Sequence, residues 1–240
     1  AEDGIRDSVA SRGLGDVYKR QLMILGLMAV FVGSAVAVYQ ENVKGLLAYS
    51  SVAQIGYLVL AVSFATGNDE GSVLGLSAGI VHLFNHAMIK GSLFLTMGCV
   101  MWRVGSTDLK DMKGLAKSMP WTMAAFVIGG LNLIGVPLTS GFISKWYLIL
   151  AALEKGMIPV AAAALLSSLI AVMYVWRVVE VVYSSSPADE TVGSKQQEAP
   201  WSMLVPMWIM IGASLIFGTL SRFPMEVARR AAEVLLQTGS

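Results

Sequence analysis

Apolar residues in this chain run in blocks, with neither the short period of a strand nor the single stripe of a helix on a water-facing core. Leu22–Tyr39 holds no charge, and Leu46–Thr66 is apolar apart from scattered Ser, Gln and Tyr. Val73–Trp102 is longer, and its length requires it to tilt, protrude or break. Trp121–Val136 continues past Gly135, Pro137 and Gly141 into Phe142–Leu153, and Met157–Tyr183 and Trp201–Leu220 follow. A spanning helix needs roughly 20 mostly apolar residues. The pattern therefore predicts an all-α integral membrane protein, a polytopic helix bundle with spans over 22–39, 46–66, 73–102, 121–153 (broken), 157–183 and 201–220. That makes six crossings, or seven if the chain turns back at Pro137.

The remaining segments divide cleanly. AEDGIRDSVASRGLGDVYKRQ, residues 1–21, is polar and mixed in charge; it reads as a non-native leader outside the membrane domain, against the alternative of a genuine polar loop. Residues 22–221 form the membrane domain, and 222–240 a C-terminal tail. Ser184–Pro200 has no apolar face and reads as a solvated loop. With 121–153 as one interrupted crossing, Lys44, Arg103, Lys110, Lys113, Lys117 and Lys195 share one side. Lys155, Arg222, Arg229, Arg230 and the acidic turn Asn68-Asp69-Glu70 share the other. Lysine and arginine favour the cytoplasm, which places the first group there.

Composition agrees with the pattern. Charged residues make up 14% of the 240, where soluble domains carry about 25%, and mean hydropathy is +0.66. A net charge of +1 and the lack of a basic cluster with interleaved aromatics give no footing for nucleic acid. Cys99 is the single cysteine, which excludes a disulfide framework or a cysteine metal site. No nucleotide loop, catalytic triad or paired-carboxylate site is present, so no catalytic residue, cofactor or metal is assigned.

Polarity inside the apolar blocks carries the chemistry. In VHLFNHAMIKG, residues 81–91, His82, His86 and Lys90 recur every four residues and line one stripe, with Asn85 at its edge. Ionisable groups in a membrane segment usually face a bundle interior or a wet cavity. Histidine titrates near neutral pH, and a lysine taken out of water is shifted toward that range. The stripe reads as an ion or proton path, ahead of plain structural hydrogen bonding. A metal is disfavoured, because HExxH and a third ligand are both missing.

The second polar site is GVPLTSGFISKWYL, residues 135–148. Pro137 lacks a backbone donor, and Gly135 and Gly141 loosen the chain on either side. Lys145 follows the break, with Ser144 beside it. Broken helices next to a charge mark ion sites in transporters; a simple kink with a snorkelling lysine is the alternative. The third is ENVKGLLAYSSVAQIGYLVL, residues 41–60, where Ser50, Gln54 and Tyr57 share a face suited to helix–helix hydrogen bonds. Lys44 opens that helix, either as an interfacial lysine or as the end of a polar path. Arg177 and Glu180 are spaced for a local ion pair.

Together ENVKGLLAYSSVAQIGY, HLFNHAMIKGSLFL and MKGLAKSMPWTMAAFVIGGLNLIGVPLTSGFISKWYLIL resemble the proton-conducting antiporter-like family. It includes the large membrane subunits of respiratory complex I, related hydrogenases, and the A-type and D-type components of Mrp cation/proton antiporters. GVPLTSGFISKWYL and YVWRVVEVVY look nearest to the D-type Mrp component. The resemblance implies the second half of an inverted-repeat transporter fold in a multi-pass bacterial inner-membrane protein. It implies partner membrane subunits, with protons and monovalent cations (Na+) as cargo. The relay would comprise Lys90, Lys145, His82, His86 and Lys44. Lys90 matches the family's central lysine, His82 and His86 its linking histidines, and Lys145 the terminal site at the broken helix. Some complex I subunits carry glutamate at that last place, so Lys145 departs from those. Family members are about twice as long, and the glutamate–lysine pair of their first repeat has no counterpart here, so the chain reads as a C-terminal fragment. A redox enzyme complex with a pumping arm is the alternative setting.

Overall fold

The computed structural model describes the backbone of residues 2–67, 69–184 and 198–238, and side chains of those residues from 17 to 237. Lys195 and most of the 184–200 loop lie outside the described residues, as does Asn68. The fold is nearly all helix: α1 (Glu2–Tyr39), α2 (Val43–Ser63), α3 (Glu70–Val104), a 3-10 turn (Leu109–Met112), α4 (Leu115–Ser118), α5 (Pro120–Ile134), α6 (Ser140–Glu154), α7 (Ile158–Tyr183), α8 (Trp201–Thr219) and α9 (Arg222–Thr238). Among the described residues, five stretches are long and apolar enough to cross a membrane: Val17–Tyr39, Val43–Ser63, Glu70–Val104, Ile158–Tyr183 and Trp201–Thr219.

Burial is inverted relative to a water-soluble bundle. Ser50, Ser77, His82, Asn85, Lys90, Thr96, Asn132 and Lys145 are inside, while Leu165, Leu169, Met173 and Trp176 of α7 face outward. Hydrocarbon accepts those outer side chains, whereas the polar ones must find partners within the protein. A core of Leu46, Leu47, Leu93, Met97, Phe126, Tyr174 and Val178 ties α2, α3, α5 and α7 together.

α3 meets the length problem of its segment without a break: all 35 residues are helical, about 52 Å at 1.5 Å per residue. Asp69 starts it by accepting from the Ser72 N–H, and Gly105 ends it at φ +78°. At one end of the bundle the chain entering α2 pairs with the chain leaving α3. Val43 N donates to Thr107 O at 2.9 Å, Leu109 N to Glu41 O at 2.9 Å, and Asn42 Nδ2 to Asp108 Oδ1 at 2.7 Å. Lys44, Arg103, Lys110, Lys113 and Lys117 lie in or beside these connections. At the opposite end Lys155 Nζ binds Asp69 at 3.1 Å and Arg229 binds Glu70 at 2.7 Å.

α5 and α6 stack end to end along α3. Trp121 N and Thr122 N donate to the Glu198 carboxylate, whose residue's carbonyl accepts from Arg103. Gly129 faces Leu93, Asn85 Nδ2 donates to Ser140 O at 2.9 Å, and Gly71 faces Glu154 and Lys155. The contacts thus descend α3 in one direction as the chain ascends in number, so the chain continues past Pro137 rather than doubling back. Arg177 departs from expectation. Among the described contacts its guanidinium forms no ion pair with Glu180 but donates to Val38 O at 2.6 Å and Gln40 O at 3.0 Å. Val38 O lies in the last turn of α1 and Gln40 O just past its end, where neither carbonyl has a helical partner, so both are open to a donor from α7.

Candidate functional site

The break between α5 and α6 is built by three backbone devices. Gly135 adopts φ +89°, where a side chain is strained, and stops α5 by returning its N–H to Leu131 O. Pro137 supplies no donor. Leu138 then takes φ +76°, the one non-glycine residue with positive φ among the described residues. Thr139 starts α6 by accepting from Phe142 N. Gly141, read from sequence as part of the break, lies inside α6. Its lack of a Cβ matters for another reason: a Cβ there would collide with Asn132 O. The start of α6 is pressed against the end of α5 at that point.

Asn132 fastens the two halves. Its Oδ1 accepts from Gly141 N at 2.9 Å and from Ser140 Oγ at 3.3 Å, and its Nδ2 donates to Ser214 Oγ at 2.7 Å. One amide therefore joins α5, α6 and α8. The residue patterns that single out the lysines and histidines miss it, although a lone amide three residues before the terminating Gly135 is a visible signal.

Lys145 reaches back to the broken end. Its Nζ, in a side chain packed 6% exposed, donates to Leu133 O at 3.1 Å, Ile134 O at 3.0 Å and Ser168 Oγ at 3.4 Å. Leu133 and Ile134 carry carbonyls that the break strips of helical partners, at the negative end of the α5 dipole. The ammonium also lies 5.2 Å from the centre of the Tyr57 ring. Lys90, 5% exposed, donates to Leu47 O at 2.8 Å and to Ser50 Oγ. Neither lysine forms an ion pair among the described residues; their acceptors are carbonyls and hydroxyls.

Between the lysines stand the histidines. The rings of His82 and His86 stack with centroids 6.1 Å apart, and Tyr57 meets His82 edge-on at 5.6 Å. His82 Nδ1 and Ser144 Oγ are hydrogen-bonded at 2.9 Å, which crosses from α3 to the first turns of α6. His82 Nε2 and His86 Nδ1 have no protein partner. Lys90, His86, His82, Ser144, Tyr57 and Lys145 thus form one polar series crossing α2, α3 and α6, buried except at His86, which is half-buried. Ser50 and Asn85 join it, and Gln54 is buried on the same face of α2. Lys44 stands apart: it opens α2, half-buried, with its backbone N–H taken by Asn42. No group of three or more metal-ligating side chains occurs among the described residues.

The family described as NADH:quinone oxidoreductase/Mrp antiporter, TM, matches residues 7–171, a stretch holding every group in the series. The chain belongs to this family. The match begins within the stretch read as a leader. NADH-quinone oxidoreductase subunit N of Desulforudis audaxviator is 40% identical over 202 residues, covering 79% of this chain and 39% of that protein. In the Mrp complex from Dietzia sp. DQ12-45-1b, a chain superposes with TM-score 0.80 at 24% identity, covering 92% of this chain and 48% of that one. In respiratory complex I from Thermus thermophilus a chain superposes with TM-score 0.76 at 24% identity, covering 91% and 45%. The family's fold is that of multi-pass membrane subunits, and this chain spans less than half the length of these relatives. Both branches, antiporter and oxidoreductase, are represented among them.

Proposed function

We propose that this chain is the proton-relaying part of an ion-translocating membrane subunit, working in a multisubunit monovalent cation (Na+)/H+ antiporter of the bacterial inner membrane. One observation supports the reading: two buried lysines have no carboxylate partners among the described residues, and imidazole and hydroxyl groups stand between them. A structural amine in a membrane is normally paired or reaches for the interface. Here each is held by neutral acceptors, which serve an amine with or without its extra proton. A proton on Lys90 passes to His86 and His82 through water at their free nitrogens, then by Ser144 to Lys145. Arrival at Lys145 places a full charge against the exposed carbonyls of α5, where the broken helix is able to respond to it. Partner membrane subunits complete the path. Lys44 is assigned to its entry at the cytoplasmic end, where it lies among the basic connections.

A second reading has its own support. The 40% identity to a subunit of NADH-quinone oxidoreductase favours a pump driven by electron transfer in partner subunits. Reconstituting the assembly with its full-length subunit separates the two. Proton movement driven by a sodium gradient without any electron donor supports the antiporter. Proton movement that occurs only during electron transfer supports the pump. Transport that survives both Lys90→Ala and Lys145→Ala would remove the relay from either.

A further inference from the structure

α7 contributes a set of hydroxyls that the imidazole series does not use. Tyr174 is completely buried, and its hydroxyl has no protein hydrogen-bond partner. Tyr174 packs in the core with Leu46 and Leu47 of α2, one turn from Ser50, the acceptor of Lys90, on the helix that also carries Tyr57. Seven residues earlier, about two turns along the same helix, Ser167 is hydrogen-bonded to the Tyr57 hydroxyl. Tyr57 Oη also donates to Ala164 O at 3.2 Å, a carbonyl shared with Ser167 and Ser168 at 3.4 Å each. Ser168 Oγ in turn accepts from Lys145 Nζ at 3.4 Å. Hydroxyls therefore lead from both lysines toward Tyr174, from Ser50 on one side and from Tyr57 with its serines on the other.

A phenol at such a place is hard to explain as packing alone. Leaving a buried hydroxyl unpaired costs about 1–3 kcal/mol, which Phe would avoid at nearly the same volume. Buried polar groups lacking protein partners are usually served by water. A hydroxyl both donates and accepts, so it takes a proton on an oxygen lone pair while releasing its own to the next acceptor. The group returns to neutral after each transfer, and no charge has to reside on it.

We propose that Tyr174 is the junction of a second, hydroxyl-lined proton route between Lys90 and Lys145, running through Ser50, Tyr174, Tyr57, Ser167 and Ser168 beside the imidazole route. The inference rests on the proposed relay and adds a branch to it. Water bridges Tyr174 to Ser50 and to Tyr57. The two branches meet at their end lysines and pass beside Ser50 and Tyr57, but the imidazoles of α3 and the hydroxyls of α7 are separate, so each carries flux when the other is cut.

The test uses the assembly containing the full-length subunit in proteoliposomes, with proton flux read by an entrapped pH dye. Tyr174→Phe and His82→Phe are each expected to give partial loss with normal assembly. The double variant is expected to give complete loss, a deficit beyond the product of the single effects. Tyr174→Phe is also expected to change the solvent deuterium isotope effect of the remaining flux, which a packing defect leaves unchanged. A double variant no worse than His82→Phe alone overturns the proposal. So does complete loss from Tyr174→Phe alone at normal assembly, which would put Tyr174 in series. Lys90→Ala is the control for the underlying relay: if flux survives it, the relay itself fails. If Lys90→Ala abolishes flux while Tyr174→Phe adds nothing to His82→Phe, only the second branch fails.

Discussion

Replacing Asn132 with alanine should loosen the junction on which Lys145 depends. The change removes the acceptor of the Gly141 N–H at 2.9 Å and the Ser140 hydroxyl at 3.3 Å, and the donor to Ser214 at 2.7 Å. Gly141 lies in the first turn of α6, where no carbonyl of the same helix can replace the lost acceptor. That buried N–H is then orphaned, and the Ser140 hydroxyl loses its partner as well. Ser214 suffers less, because its hydroxyl still donates to Ile211 O at 2.8 Å. At about 1–3 kcal/mol for each of the two orphaned buried groups, the total is about 2–6 kcal/mol. Ser214→Ala leaves only the Asn132 amide unsatisfied and should cost about 1–3 kcal/mol by the same reckoning, about half as much. The assay is thermal unfolding of the purified assembly, followed by proton flux in vesicles. Asn132→Ala should lower the melting midpoint more than Ser214→Ala and reduce flux, because Leu133 and Ile134, the acceptors of Lys145, directly follow residue 132. An Asn132→Ala protein as stable and as active as the parent would refute the idea that this amide holds the break together.

Other consequences follow from the same contacts. Gly141→Ala should prevent stable assembly, since its Cβ would collide with a backbone oxygen that no rotamer change can move; yield of the assembled complex measures it. Arg177→Ala should strip the last carbonyls of α1 of their donors and cost about 1–3 kcal/mol; faster proteolysis and hydrogen exchange at the end of α1 would report it. The Asp69–Lys155 clamp should depend on pH. Partial desolvation pushes the Asp69 carboxyl up, but hydrogen bonds from Ser72 and Lys155 outweigh it and hold the group below the usual carboxylate range. A depressed carboxylate contributes fully above its unfolded value, about 4, and loses that contribution as pH falls through the lower folded value. Hydrogen exchange at the start of α3 should therefore accelerate only under strong acid, and Asp69→Asn should flatten the dependence.

What the sequence can reveal follows the range of the forces involved. Long apolar blocks dictate helices wherever they fall, because hydrocarbon leaves backbone groups no other partner. The four-residue spacing of His82, His86 and Lys90 likewise dictates a common stripe on any helix. Pro137 beside Gly135 marks the break. The partners of the polar groups are another matter. Nothing in the local sequence around Lys145 shows that it turns back to Leu133 and Ile134, since that depends on how α6 is aimed after Leu138. Arg177 has a suitable glutamate three residues away, yet packing brings it to the bare carbonyls at the end of α1, 139 residues distant at Val38. Asn132, Ser168, Ser214 and Tyr174 are each ordinary within their own segments. They matter only because packing brings α5, α6, α7 and α8 to one depth.

The central claim is that protons cross between Lys90 and Lys145. The most direct test is proton flux through reconstituted assemblies carrying Lys145→Met, which keeps an unbranched side chain of similar reach while removing the exchangeable charge. Assembly and thermal stability are measured on the same preparation. The account predicts a properly assembled complex with flux reduced to the level of empty vesicles. Undiminished flux in that complex would contradict it, and would leave the buried lysines as structural pins for a broken helix.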